Sequence, residues 1–90
     1  MRRADLSDCR GTAVVLRGTD MRAASLRGGQ LVKADLRDAD LRAADLRNAS
    51  FECPDLRGAD LRDCNVEGLM LREPIVDDRT RLPVSAPHLT

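Results

Sequence analysis

The sequence predicts an all-β chain that coils around a narrow apolar core rather than a helical or layered domain. Three observations carry this. Ala-Asp-Leu-Arg recurs every five residues at 34–37, 39–42 and 44–47, and again at 59–62. The same five-residue register runs from Ala4 to Glu73 without an insertion, giving fourteen units. Hydrophobic residues are 42% of the chain, yet Phe51 is the only aromatic, so the core must be built from Leu and Ala. Neither regular element accommodates the period. On an α-helix five residues advance roughly 500°, so successive leucines step by about 140° and form no common face. On a flat strand an odd period sends alternate leucines to opposite sides. A backbone that turns a corner every five residues satisfies both constraints.

The unit has a clear division of labour. The Leu position, taken as the centre, is apolar in every unit but one, running from Leu6 and Leu16 through Phe51 to Leu71, with Gly11 the exception. Two residues earlier stands a mostly small residue, among them Ala4, Cys9, Ala24, Gly29, Ala34 and Cys64. These two positions point inward as an alternating pair. The residue between them is Asp in seven units and points out, and Arg follows the centre in nine. Two residues after the centre come Gly18, Gly28, Gly58, Gly68, Asn48 and several Asp, types that tolerate corners and positive φ. One such unit cannot bury its Leu alone, so repetition makes the core.

On the pattern Ala-(Asp/Asn)-Leu-x-x over residues 4 to 73, the sequence resembles the pentapeptide-repeat family. The resemblance implies a right-handed quadrilateral β-helix: an all-β solenoid with four faces per twenty-residue coil. Fourteen units then make about three and a half coils, a rod of roughly 17 Å at the inter-strand spacing. The expected organisation is a lead-in at 1–3, the β-helix at 4–73 and a C-terminal cap or tail at 74–90. Residues twenty apart stack, so Arg17, Arg37 and Arg57 are expected on one face. Arg22, Arg42 and Arg62 are expected on the next, beside an Asp20, Asp40, Asp60 ladder.

The two ends depart from the pattern. Gly11 leaves a centre empty, Val14 is large for a small site, and Val15 and Val32 stand at outward positions. Leu69 and Met70 break the last unit, and the register is expected to stop at Pro74. The segment 74–82 reads as a short helix opened by proline or as a cap segment. Its Ile75, Val76 and Leu82, with Met70 as a contact, are expected to cover the open C-terminal coil or to join an oligomer contact.

Functional signals are sparse. Fifteen basic and fifteen acidic residues give a formal net charge of zero, so no uniform attraction to nucleic acid or anionic membrane is expected. Cys9, Cys53 and Cys64 form an odd set without metal-ligand spacing. With no signal peptide or membrane-length apolar run, a reducing, cytoplasmic setting is expected. His88 is the lone histidine, near the terminus. No nucleophile set, phosphate loop or ligand cluster is present, so neither an enzyme activity nor a metal or other cofactor is expected.

The Asp and Arg columns read first as solvated faces whose opposite charges offset each other. The alternative is a basic stripe that meets phosphates or an acidic partner. The expected function is therefore a non-catalytic protein-interaction or scaffold module. The resemblance implies a second reading, because some family members act as dimeric DNA mimics that bind type II topoisomerase. Residues 4–73 carry 13 acidic and 11 basic side chains, a poor imitation of DNA. A third reading is a structural or self-assembling unit of a larger repeat protein. An open coil edge is a template for pairing, so either a homodimer through a coil end or a cap supplied by the tail is expected.

Overall fold

The computed structural model describes residues 3–83 and shows a four-sided parallel β-helix. Met1, Arg2, His88 and the rest of the proline-containing end lie outside the described residues. Strands β1 (Arg10–Thr12), β2 (Gln30–Val32), β3 (Ser50–Glu52) and β4 (Met70–Arg72) pair in sequence order, each parallel to the next. The register is twenty residues throughout, as in Leu31 beside Phe51 beside Leu71. The other three faces are held by single bridges in the same register. They run Asp5–Ser25–Asp45–Asn65, Val15–Asp35–Asp55–Ile75 and Asp20–Asp40–Asp60.

Coils are joined by backbone bonds on every face. Leu36 N–H donates to Asp55 C=O at 2.9 Å, and Asp55 N–H donates back to Ala34 C=O at 2.9 Å. Corners recur with the sequence period. From Arg3 to Glu73 every fifth residue has positive φ, between 52° and 74°. Glycine and asparagine supply some of these, yet Ala13, Ala23, Lys33 and Cys53 adopt the same conformation. Most corners are closed by a bond from the residue after the corner to the centre carbonyl, as in Ala39 N–H to Leu36 C=O at 3.1 Å. This is the hydrogen-bonding pattern of a turn with φ > 0 at its third residue.

The corner after each three-residue strand is different. Ala34 makes no such closing bond to Leu31, and at the equivalent sites stand Pro54 and Pro74. Proline has no N–H to donate, so it fits where none is used.

The core is a set of stacked side chains. Met21, Leu41 and Leu61 form one column, Leu36 and Leu56 another, and all are fully buried. Ala24, Ala34, Ala39, Ala44, Ala49 and Ala59 fill the space between them. Burying each large apolar side chain contributes about 1.5–3 kcal/mol. Gly11 is accommodated by its neighbour. A Cβ there would lie 2.6 Å from Val14 Cγ1, so the valine occupies the room that a centre side chain would take.

The pairing ladder goes on past Glu73, where the sequence suggested that the register stops. Ile75 N–H donates to Pro54 C=O at 2.8 Å, and Leu56 N–H donates to Ile75 C=O at 2.8 Å. The next bridge is Asp60 to Arg81, one residue longer than the repeat. The extra residue sits in a loop organised by Asp77 and Thr80. Asp77 Oδ1 accepts the N–H groups of Gly58, Arg79 and Thr80 at 3.0–3.1 Å. Thr80 Oγ1 donates to Leu56 C=O at 2.8 Å. The segment therefore completes a fourth, bulged coil that β4 begins and is not a helix: an Asx-type loop satisfies the backbone where proline suggested a helix start.

Candidate interaction surface

The outward residues form a repeated clamp. In each Asp-x-Arg unit the aspartate accepts the arginine's own N–H, then grips its guanidinium from the side. For Asp35 and Arg37 the backbone bond is 3.2 Å, Nε to Oδ1 is 2.9 Å and Nη2 to Oδ2 is 2.8 Å. The same geometry holds at Asp20–Arg22, Asp40–Arg42, Asp45–Arg47, Asp55–Arg57 and Asp60–Arg62. Such paired, charge-assisted bonds fix the planar guanidinium in one orientation. Three of the clamps also lean on the next coil. Arg37 Nε lies 3.7 Å from Asp55 Oδ2, Arg42 Nε 3.9 Å from Asp60 Oδ2, and Arg22 Nε 4.0 Å from Asp40 Oδ2.

The electrostatics follow from that geometry. The Arg37 guanidinium bonded to Asp35 lowers its carboxyl from 3.8 to about 2. Asp40, Asp45, Asp55 and Asp60 are lowered in the same way by their own arginines. The structure thus brings Asp20, Asp40 and Asp60 together with Arg22, Arg42 and Arg62 as mutually neutralising columns. Arg37 and Arg57 are clamped on the adjoining face. Arg17 stands in their column, but the residue two before it is Val15, so it has no clamp of this kind.

At the C-terminal end, Leu82 is half-buried and packs against the core. Met70, Ile75 and Val76 do not cover the coil as the sequence suggested. They are 58%, 47% and 50% exposed, because Met70 and Ile75 occupy outward positions and no described coil stacks above Val76. Sequence reasoning missed two features here. Arg79 reaches Asp38 Oδ1 at 3.6 Å and Asp77 Oδ2 at 3.3 Å. Arg81 joins Arg42, Arg62, Asp63 and Thr80 around an open cleft of about 480 Å³. Neither was legible, because the one-residue insertion hides both positions from a twenty-residue register. Asp45 and Arg47, on a face that the sequence left mixed, stand at the same positions of the five-residue unit as the other clamped pairs, so their pairing could be read from the repeat.

The cysteines behave as apolar core or corner groups. Cys64 Sγ donates to Leu41 C=O at 2.8 Å, and burial pushes its thiol up to about 12. Burial also raises Cys9, and burial followed by the nearby Glu73 raises Cys53. Among the described residues no three His, Cys, Asp or Glu side chains gather as metal ligands. No helix among them is long and apolar enough to cross a membrane.

A square coil with Leu and Ala inside and Asp-x-Arg clamps outside defines a class of repeat solenoid. The family profile for pentapeptide repeats matches in eight copies over residues 1–28 and 30–68, and the chain belongs to the pentapeptide-repeat family. Among solved structures, it is 36% identical to a pentapeptide repeat protein from Nostoc Pcc 7120, with a TM-score of 0.65. That match covers 91% of this chain and 72% of the other. The fold is the right-handed β-helix of that family.

It is also similar to HetL, a pentapeptide repeat protein involved in heterocyst differentiation regulation in Nostoc sp. strain PCC 7120. The identity is 26%, covering 81% of this chain and 36% of that one, with a TM-score of 0.47. Rfr23 from Cyanothece 51142 is 26% identical over 87% of this chain and 63% of its own, with a TM-score of 0.41. No curated protein matches at a significant level.

Proposed function

We propose that this chain is a non-catalytic interaction module that presents clamped arginine columns to another protein in the cytoplasm. The observation that carries this reading is the clamp itself. Nε and Nη2 of Arg22, Arg42, Arg62, Arg37 and Arg57 are bound to the neighbouring aspartates, which leaves the Nη1 edges for a partner. Side chains already held in place lose little freedom on binding, which favours association. Nucleic acid fits this surface less well, because each guanidinium is offset by a carboxylate and few counterions would be released. A DNA-mimic action on type II topoisomerase fits less well for the converse reason: the aspartates are neutralised by the same clamps. A coil end serves as a second contact, for a second copy or a further repeat segment.

The test is affinity capture from the native cell with the intact chain and an Arg22→Ala/Arg42→Ala/Arg62→Ala variant. A specific protein retained by the intact chain and lost by the folded variant supports the reading. Equal capture by both, or no specific partner, counts against it. Unchanged supercoiling at high protein excess excludes the topoisomerase alternative.

A further inference from the structure

The first coil differs from the others in a way that points to a definite partner for it. Its inward residues are incompletely covered: Leu6 and Leu16 are half-buried, whereas Leu26 and Leu36 one coil later are fully buried. Together with Cys9, Val14, Leu26 and Leu31 they line an apolar opening of about 160 Å³. Among the described residues nothing pairs with the backbone edge around it. Cys9 C=O and Ala13 N–H bond to the second coil, so Arg10 and Thr12 between them turn their backbone groups the other way. By the same alternation so do Asp5 and Val15. This coil also carries the two halves of a clamp without their complements. Asp5 is followed by Ser7 where Arg is usual, and Arg17 is preceded by Val15 where Asp is usual.

We propose that this edge is the contact surface for a second copy of the chain, docked head to head about a two-fold axis through Gly11. This rests on the coil-end part of the proposed function and specifies the end, the partner and the register. A two-fold makes the facing strands antiparallel. It sets Arg10 opposite Thr12, Ser7 opposite Val15 and Asp5 opposite Arg17 of the second copy. Arg10 and Thr12 both turn backbone groups toward the partner, as a hydrogen-bonded antiparallel pair requires. Gly11, with no side chain, stands at the axis. Symmetry makes the Asp5–Arg17 pairing occur twice, so each unmatched half finds its complement. Other registers lose this complementarity. Moving the axis one corner toward the C-terminus sets Arg10 against Arg17, and moving it one face that way sets Arg10 against Arg22. Moving it one corner the other way leaves Asp5 opposite Thr12.

The test is sedimentation of the full chain and of Asp5→Arg, Arg17→Asp and the Asp5→Arg/Arg17→Asp double variant. The intact chain is expected to be a dimer. Each single variant faces two like-charge pairs, which should raise the dimer dissociation constant about a hundredfold. The double variant restores opposite charges and should return to the dimer, which also shows that the substitutions leave the fold intact. A monomeric wild type, single variants that dimerise normally, or a double variant that stays monomeric would each overturn the proposal. None of these substitutions touches the Arg22, Arg42 and Arg62 columns, so capture of a side-face partner is read independently.

Discussion

Asp35 shows how one residue serves both fold and surface. Its carboxylate caps the backbone of Arg37 as the chain leaves the face, and the same two oxygens hold the guanidinium. The charge is thereby spent on local geometry, which is why a third of the chain can be charged without creating a charged face. Gly11 shows the opposite economy, where a missing side chain is made good by Val14 three residues later. Gly11→Ala should therefore be destabilising by about 1–2 kcal/mol, since the new methyl meets the valine. Combining Gly11→Leu with Val14→Ala restores the arrangement at Leu31 and Ala34, and should recover or exceed the original stability. Urea midpoints of the three proteins check this. A harmless Gly11→Ala would show that the valine does not fill that space.

The coil is the element, and its acid response follows from its clamps. Asp35 ionises near 2 in the folded chain and near its ordinary 3.8 when unfolded. A lowered carboxyl stabilises the fold above its unfolded value, and that contribution fades as pH falls through the folded one. Asp40, Asp45, Asp55 and Asp60 shift in the same direction. The urea midpoint should therefore hold steady down to about pH 4 and drop between about pH 4 and about pH 2. A midpoint that rises over that interval would contradict the clamps.

The fourth coil makes its own prediction. Thr80→Ala removes the hydroxyl bond to Leu56 C=O and should cost about 1 kcal/mol. Thermal unfolding measures it, and an unchanged midpoint would mean that the loop is not held there. This coil was also the part of the fold least legible in the sequence. The five-residue register revealed every face from Ala4 to Glu73, because Leu and Ala must alternate inward at each. Beyond Pro74 the pattern is broken by one inserted residue, and only the Asp77 and Thr80 hydrogen bonds reveal that the coil continues. The corners were legible where Gly or Asn stands. Ala23, Ala43 and Lys33 adopt the same positive φ because stacking imposes it, against their local preference.

The whole molecule is a short stack in which each coil touches only its neighbours, so stability is a sum of coil-to-coil terms. With four coils there is little redundancy, and a break in the middle leaves neither half with a buried core. The surface was legible at this scale only as columns. That Arg and Asp would neutralise each other could be read from their spacing, but whether the guanidinium is clamped from the side required the geometry. In the sequence Arg17 stood as a regular member of its column and only Val15 as a departure; the missing partners of Asp5 and Arg17 gained meaning once both were placed on one exposed edge.

Position within the five-residue unit decides which side chains build the molecule and which it displays. Denaturant unfolding of Leu41→Asp and Arg42→Ala, adjacent residues in the second full coil, tests it most directly. Leu41 is fully buried, so Leu41→Asp should cost ~4 kcal/mol or more and unfold the chain as a unit. Arg42 faces outward in a partly exposed ion pair, so Arg42→Ala should change stability little. Comparable losses from the two substitutions would contradict this division into inward and outward positions.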